Sequence, residues 1–206
     1  LQKPVLTITP INCPYPKERP KLVICLSGHA ARIYRESSAS LSNKTIKHIA
    51  IGRETASILR SSFTSTIFPF DERSEGVIGM KEFQEISAGD IVWLLTGRQG
   101  RGVIESVMEN KGCKLYRLVL YEQVRKEVEG IDPGNISCVV VGSAVGMQHV
   151  AELWQRCKGK PSVPIIAPSL RVKKEAENLG FTEVYNVGSA NVSDVSIFVE
   201  EFLSAR

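Results

Sequence analysis

Two stretches of this chain copy one another at a fixed distance, and that limits the folds open to it. Val23-Ile24-Cys25-Leu26-Ser27-Gly28 resembles Val139-Val140-Val141-Gly142-Ser143-Ala144. Ile49-Ala50-Ile51-Gly52 resembles Ile165-Ile166-Ala167-Pro168. Ser27 and Ser143 stand 116 positions apart, as do Gly52 and Pro168. Each copy is a short apolar run ending in a small residue, followed by helical spacing. Such a run suits a strand buried on both faces. A serine at its end can accept a hydrogen bond from one of the helix's first N–H groups. Two copies imply two similar α/β domains of Rossmann or flavodoxin type, with parallel sheets.

The rest of the chain keeps the same alternation. Leu22–Ser27, His48–Gly52, Thr66–Phe70, Ile91–Gly97, Leu115–Glu122, Cys138–Ser143, Val163–Ser169 and Glu183–Gly188 read as strands. Helices are expected over Glu54–Ser61, Gly102–Asn110, Ala144–Lys158, Leu170–Leu179 and Ser193–Ser204, the last capped by Asn191 or Ser193. The proline-rich stretch Pro10–Pro20 and the segment Glu127–Asn135 read as surface connections. Extended segments at Val5–Thr9 and Leu118–Tyr121 flank the middle of the chain. They suggest an inserted domain over residues 11–116, entered and left by a two-stranded linker. Residues 1–10 and 117–206 then supply the linkers and the second domain. Ligands of open α/β sheets bind beyond the carboxyl ends of the strands. Two such edges facing each other across a hinge would form a binding cleft.

One such strand end carries more chemistry than the others. Ile91-Val92-Trp93-Leu94-Leu95-Thr96-Gly97 leads into Arg98-Gln99-Gly100-Arg101-Gly102 and then a helix. Free N–H groups at a helix start and the helix dipole favour an anion. Arg98 and Arg101 would add fixed positive charge. The glycine spacing fits neither a Walker loop nor a dinucleotide fingerprint.

Composition narrows the classes. The chain has 206 residues, 43% hydrophobic and 23% charged, with a net charge of +4. No apolar run is long enough to span a membrane. The small basic surplus, without Lys/Arg runs, suits a small anionic substrate better than nucleic acid. Cys13, Cys25, Cys113, Cys138 and Cys157 form no C-x-x-C pair. They read as reduced thiols of a cytoplasmic protein. His29, His48 and His149 are scattered, so no metal site is expected.

Taken in order, these segments resemble the uroporphyrinogen-III synthase family over nearly the whole chain from Pro4. Leu26-Ser27-Gly28-His29-Ala30-Ala31 is similar to the family's "TSxxA" strand end. Ile49-Ala50-Ile51-Gly52-Arg53-Glu54-Thr55-Ala56 is similar to "aIGxxTA", the most specific match. Leu95-Thr96-Gly97-Arg98-Gln99-Gly100-Arg101 resembles "lRGxxgR", and Tyr121 falls where the family has a linker tyrosine. Val139–Ser143 resembles "vvvTS", and Ile165–Ser169 with Leu179-Gly180-Phe181 resembles the second domain's repeat. There are departures. Gly142 stands for a threonine and Thr96 for the arginine of the "RG" pair. The family's first strand, ending in Thr-Arg-Pro, and its helix have no counterpart. That strand is expected inside its sheet. The second domain would then be completed by residues outside this numbering, by an unusual pairing, or by another copy of the chain.

The resemblance implies an enzyme that closes hydroxymethylbilane to uroporphyrinogen III, losing water and inverting ring D. It implies no cofactor, and a monomer for the complete fold. Tyr121 would act near the departing hydroxyl. Ser27, Gly28, Gly52, Arg53, Thr96, Gly97, Arg101, Gly142, Ser143 and Ser169 would contact substrate carboxylates. Thr55 is expected to stabilise its own helix. A non-catalytic member of the same fold and a two-domain anion-binding module are the alternatives.

Overall fold

The computed structural model describes residues 4–37, 45–99 and 102–205. The chain divides into two compact units, Ile8–Val124 and Leu1–Thr7 with Arg125–Arg206. In chain order the first eleven elements are β1 Leu6–Pro10, β2 Leu22–Cys25, α1 Gly28–Glu36, β3 Lys47–Ala50, α2 Arg53–Arg60, β4 Thr66–Ile67, α3 Ser74–Gly79, α4 Lys81–Gln84, β5 Ile91–Gly97, α5 Val103–Asn110 and β6 Lys114–Arg125. Their strands form one sheet in the order β1-β6-β5-β2-β3-β4. The pairs β6-β5, β5-β2, β2-β3 and β3-β4 are parallel. At the sheet edge β1 runs antiparallel to β6. The Ile11 N–H bonds Leu120 O at 2.8 Å, and the Lys126 N–H bonds Val5 O at 3.0 Å.

Side-chain alternation explains the layering. Val23 and Cys25 of β2 and Trp93 and Leu95 of β5 pack against Ala30, Ala31 and Tyr34 of α1 and Ala56 and Leu59 of α2. The intervening Leu22, Ile24, Val92 and Leu94 pack on the opposite face with Val77, Phe83, Ile104 and Met108. A period of two thus feeds two layers of helices. Each fully buried Leu or Ile contributes about 2 kcal/mol of transfer free energy. The chain runs outward from β2 through β3 to β4, then returns to the other side of β2 as β5. The strand order therefore reverses between β2 and β5, and a crevice at such a reversal is where open α/β sheets bind ligands.

The other unit carries β7 Val139–Val140, α6 Ala144–Arg156, β8 Ile165–Ala167, α7 Leu170–Asn178, β9 Val184–Asn186 and α8 Val192–Ser204. Its three strands are parallel and hydrogen-bonded in the order β7-β8-β9. Met147, Val150 and Trp154 of α6 and Val172 and Ala176 of α7 cover Ile165 and Ala167. β7 lies at one edge, with Val140 exposed.

Other departures have local causes. The strand expected over Thr66–Phe70 stops at Ile67. Pro69 has no N–H to give a ladder, and Phe70 is fully exposed. The strand expected over Leu115–Glu122 runs from Lys114 to Arg125 and pairs with β5 as far as Tyr121. The compact unit accordingly ends at Val124. Among the described residues no helix is long and apolar enough to cross a membrane.

Candidate functional site

The carboxyl ends of β2 and β5 meet at the reversal point, and the neighbouring strand β6 delivers a tyrosine there. β5 and β6 pair in regular register until Thr96 faces Val119, after which Gly97 faces Tyr121. This bulge leaves Leu120 as an extra residue. Leu118, Leu120 and Tyr121 all enter the same core cluster as a result. Tyr121 lies directly over Gly97. A Cβ at Gly97 would stand 2.6 Å from the tyrosine Cζ and 2.9 Å from its Oη. The Arg98 N–H locks the arrangement by bonding Tyr121 O at 2.9 Å. Tyr121 is only 8% exposed. Its hydroxyl has no hydrogen-bond partner among the described residues.

On the other side of this tyrosine is the start of α1. The Ser27 Oγ accepts from the Ala30 N–H at 3.1 Å, and Ser27 O accepts from the Ala31 N–H at 3.0 Å. The amides of Gly28 and His29 are left over, as the geometry of a helix start requires. The first turn of α1 holds no acidic residue. This helix end therefore presents free N–H groups and a positive dipole to an anion. The His29 ring meets the Tyr121 ring edge-on, with centroids 5.4 Å apart. Desolvation, then Arg32, push the His29 pKa below its ordinary value of 6.5, and Glu54 opposes them.

The start of α2 looks similar in sequence but is already filled. Gly52 has no side chain with which to cap, and the Glu72 carboxylate takes that role by accepting from the Arg53 N–H at 2.9 Å. A Cβ at Gly52 would stand 2.1 Å from the same carboxylate oxygen. The need for glycine here is thus set by Glu72, which already occupies the Arg53 amide. The Arg53 side chain remains exposed. Glu54 pairs with Arg32 at 3.7 Å, and Thr55 is buried in its helix.

The basic loop after β5 also differs from its reading. The Arg98 Nε donates to Glu122 at 2.7 Å, so this arginine is neutralised within the chain. Arg101 lies outside the described residues. Thr96 is buried, and its hydroxyl donates to Gly97 O at 3.3 Å. Arg117 holds the turn instead. Its Nε donates to Glu105 at 3.0 Å, and its other end reaches Gly97 O and Arg98 O, both at 3.3 Å. Neither Arg117 nor His29 was singled out from sequence. The place of Arg117 on the strand that leads into Tyr121 was the available signal for the first. The position two residues after the Ser27 cap was the signal for the second.

In the other unit the Ser143 Oγ accepts from the Gly146 N–H at 3.1 Å, and the Ser169 Oγ accepts from the Val172 N–H at 3.4 Å. Gly142 is exposed, with nothing within 4 Å of a Cβ placed on it. Among the described residues no group of three or more His, Cys, Asp or Glu could hold a metal ion.

A family model described as uroporphyrinogen-III synthase HemD matches residues 3–192. The chain belongs to the uroporphyrinogen-III synthase family. Its place is therefore in tetrapyrrole biosynthesis. No curated protein matches the sequence significantly. The fold is similar to the crystal structure of uroporphyrinogen-III synthetase from Helicobacter pylori, with a TM-score of 0.70 at 14% identity over 98% of this chain and 91% of that one. It is also similar to a mutant uroporphyrinogen III synthase from Thermus thermophilus, with a TM-score of 0.59 at 12% identity over 98% of this chain and 88% of that one. At such identities the solved synthases support the mixed α/β fold with parallel sheets, and the family model carries the assignment.

Proposed function

We propose that this chain is a cyclising lyase that converts hydroxymethylbilane to uroporphyrinogen III. The observation that carries the reading is the Tyr121 hydroxyl, which is held over Gly97 at the strand-order reversal and has no hydrogen-bond partner among the described residues. The pyrrole nitrogen pushes the terminal hydroxyl off its carbon. The Tyr121 O–H donates a hydrogen bond to that oxygen as the C–O bond breaks. Ring D then attacks the freed carbon through its substituted α-carbon. The older bond from that α-carbon to its methylene bridge breaks, and the bridge rebonds to the ring's unsubstituted α-carbon, which inverts the ring. The proton it later loses balances the hydroxide that leaves as water. Neither a metal nor a redox cofactor is called for by this chemistry.

Binding comes from amide-rich helix starts that suit the substrate's carboxylates. The Gly28 and His29 amides beside Ser27 supply one such position. Ser143 and Ser169, at the equivalent helix starts of the other unit, supply hydroxyls, and Gly142 supplies an unobstructed backbone. Leu6–Pro10 and Lys114–Arg125 serve as the two connections between an inserted domain and its host. Work at a flexible linear substrate is mainly positioning and exclusion of water. The protein would act in the cytoplasm as a monomer.

The test is turnover of enzymatically made hydroxymethylbilane, with type III product separated from the type I product that forms spontaneously. Tyr121→Phe should lower kcat about 100-fold while product affinity changes little. An equal loss in both would assign Tyr121 to recognition. Product binding without any type III formation by the wild type would favour a non-catalytic member of the fold.

A further inference from the structure

We propose that His29 is a positioning residue for Tyr121: packed edge-on against the phenol, it fixes the direction in which the catalytic hydroxyl points. The inference rests on the reading of Tyr121 given above, and three features of the structure support it. The first is that no group among the described residues hydrogen-bonds the Tyr121 hydroxyl, so packing orients the ring. Gly97 walls one side at a distance that admits no Cβ, and the His29 ring stands at 5.4 Å with an interplanar angle of 61°. Edge-on contacts of this kind are favourable beyond the area they bury.

The second is that His29 is itself held in place. The Ser27 cap fixes the first turn of α1, and the Ile58 side chain lies 3.2 Å from where a Cβ on Gly28 would stand. The imidazole is therefore carried by a clamped helix start rather than by a loop. The third is charge. Arg32 on α1, Glu54 on α2 and Tyr121 on β6 surround His29, and the balance favours the neutral ring. A neutral imidazole can pack against the phenol without carrying a hydrated charge into the contact. Protonation would draw the ring toward water and Glu54 and release Tyr121. Turnover should accordingly fall with acid in a way that depends on His29.

The experiment is a double-mutant cycle on turnover with hydroxymethylbilane, joined to pH profiles. His29→Ala should lower kcat about three- to tenfold with little change in KM, the size of one edge-on aromatic contact. In a Tyr121→Phe background the same change should do nothing more, because there is no hydroxyl left to orient. Losses that multiply would overturn the proposal and give His29 a role independent of Tyr121. His29→Phe keeps a ring and cannot titrate, so it should restore kcat at neutral pH. It should also flatten the decline below about pH 6.5. A His29→Phe profile that superimposes on the wild type would overturn the pH element. Unchanged kinetics in Tyr121→Phe alone would instead sink the underlying site reading. Thermal melts of each variant separate these outcomes from unfolding.

Discussion

The two units begin alike and then part. In each, a parallel strand gives way to a serine-capped helix, and the Ser27 and Ser143 hydroxyls both accept from an N–H three residues on at 3.1 Å. At the next helix start they already differ. Ser169 caps its own helix, whereas Gly52 leaves the task to Glu72, twenty residues later in the chain. Beyond that, the larger unit returns to the far side of its first strand and adds β5 and β6. The smaller one adds β9 and stops. Only the larger unit has a reversal of strand order, and there it carries Tyr121. The repeat thus fixes where helix starts fall. What each start can bind depends on who supplies the capping acceptor.

Acid should separate the units most strongly. His48 is fully buried in the larger one, stacked on Phe63 at 4.1 Å between centroids. A carbonyl can only accept, so Nδ1 bears the proton shared with Ile46 O at 2.8 Å, and Nε2 faces the Tyr34 hydroxyl at 3.4 Å. Burial pushes this imidazole down to about 4 from 6.5. Between those values the unfolded chain binds a proton that the folded chain refuses. The stabilisation is complete above pH 6.5 and is lost as pH falls toward 4, by up to about 3 kcal/mol. Trp93 lies in the larger unit and Trp154 in the smaller. Single-tryptophan variants followed by fluorescence should show the Trp93 transition moving to lower denaturant in acid. Coincident transitions at every pH would break the contrast.

Gly97→Ala should be next in size. Its Cβ would strike the Tyr121 ring, an overpacking worth about 1–3 kcal/mol in denaturant titrations. Turnover should fall further than the folded fraction does, because the displaced group is the proposed catalytic one. Removing the paired caps, Ser27→Ala and Ser143→Ala, should cost about 1 kcal/mol each. Similar stability losses with an effect on substrate affinity from Ser27 alone would sharpen the distinction between the units. The smallest effect is expected from Gly142→Thr, within about 0.5 kcal/mol, since nothing lies near the new side chain. If it tightens product binding, the hydroxyl that the family pattern carries there is a ligand contact.

Much of this fold was legible from periodicity. Ile91–Gly97 was read to the residue, because a continuous apolar run ended by glycine admits few alternatives. Asn191 caps the last helix, accepting from the Ser193 N–H at 2.8 Å. The short helices α3 and α4 were not read. Six and four residues give little room for a helical period, and Gly76 and Gly79 argue locally against one. The site was less legible, for a physical reason. Its defining contacts join residues far apart in the chain: Glu72 to Arg53, Arg98 to Glu122, Arg117 to Glu105, and Tyr121 to both Gly97 and His29. Pattern reading singled out Ser27, Gly28 and Gly97, with Tyr121 on a linker outside residues 11–116, but not the partners that free or occupy each of them.

The extra residue at Leu120 has a consequence for how such a protein can change over generations. A strand ordinarily sends consecutive side chains to opposite faces, and a slip of one position exchanges them all. Here Leu120 and Tyr121 share a face only because the count along β6 runs one ahead of β5. Exchanging one side chain for another can retune the tyrosine's surroundings, but it cannot relocate the phenol. Relocation would take a gain or loss of a whole residue, which would turn everything downstream in the strand at the same time. The aromatic group is thus inherited with a length of chain, and drift by ordinary substitution leaves its address intact.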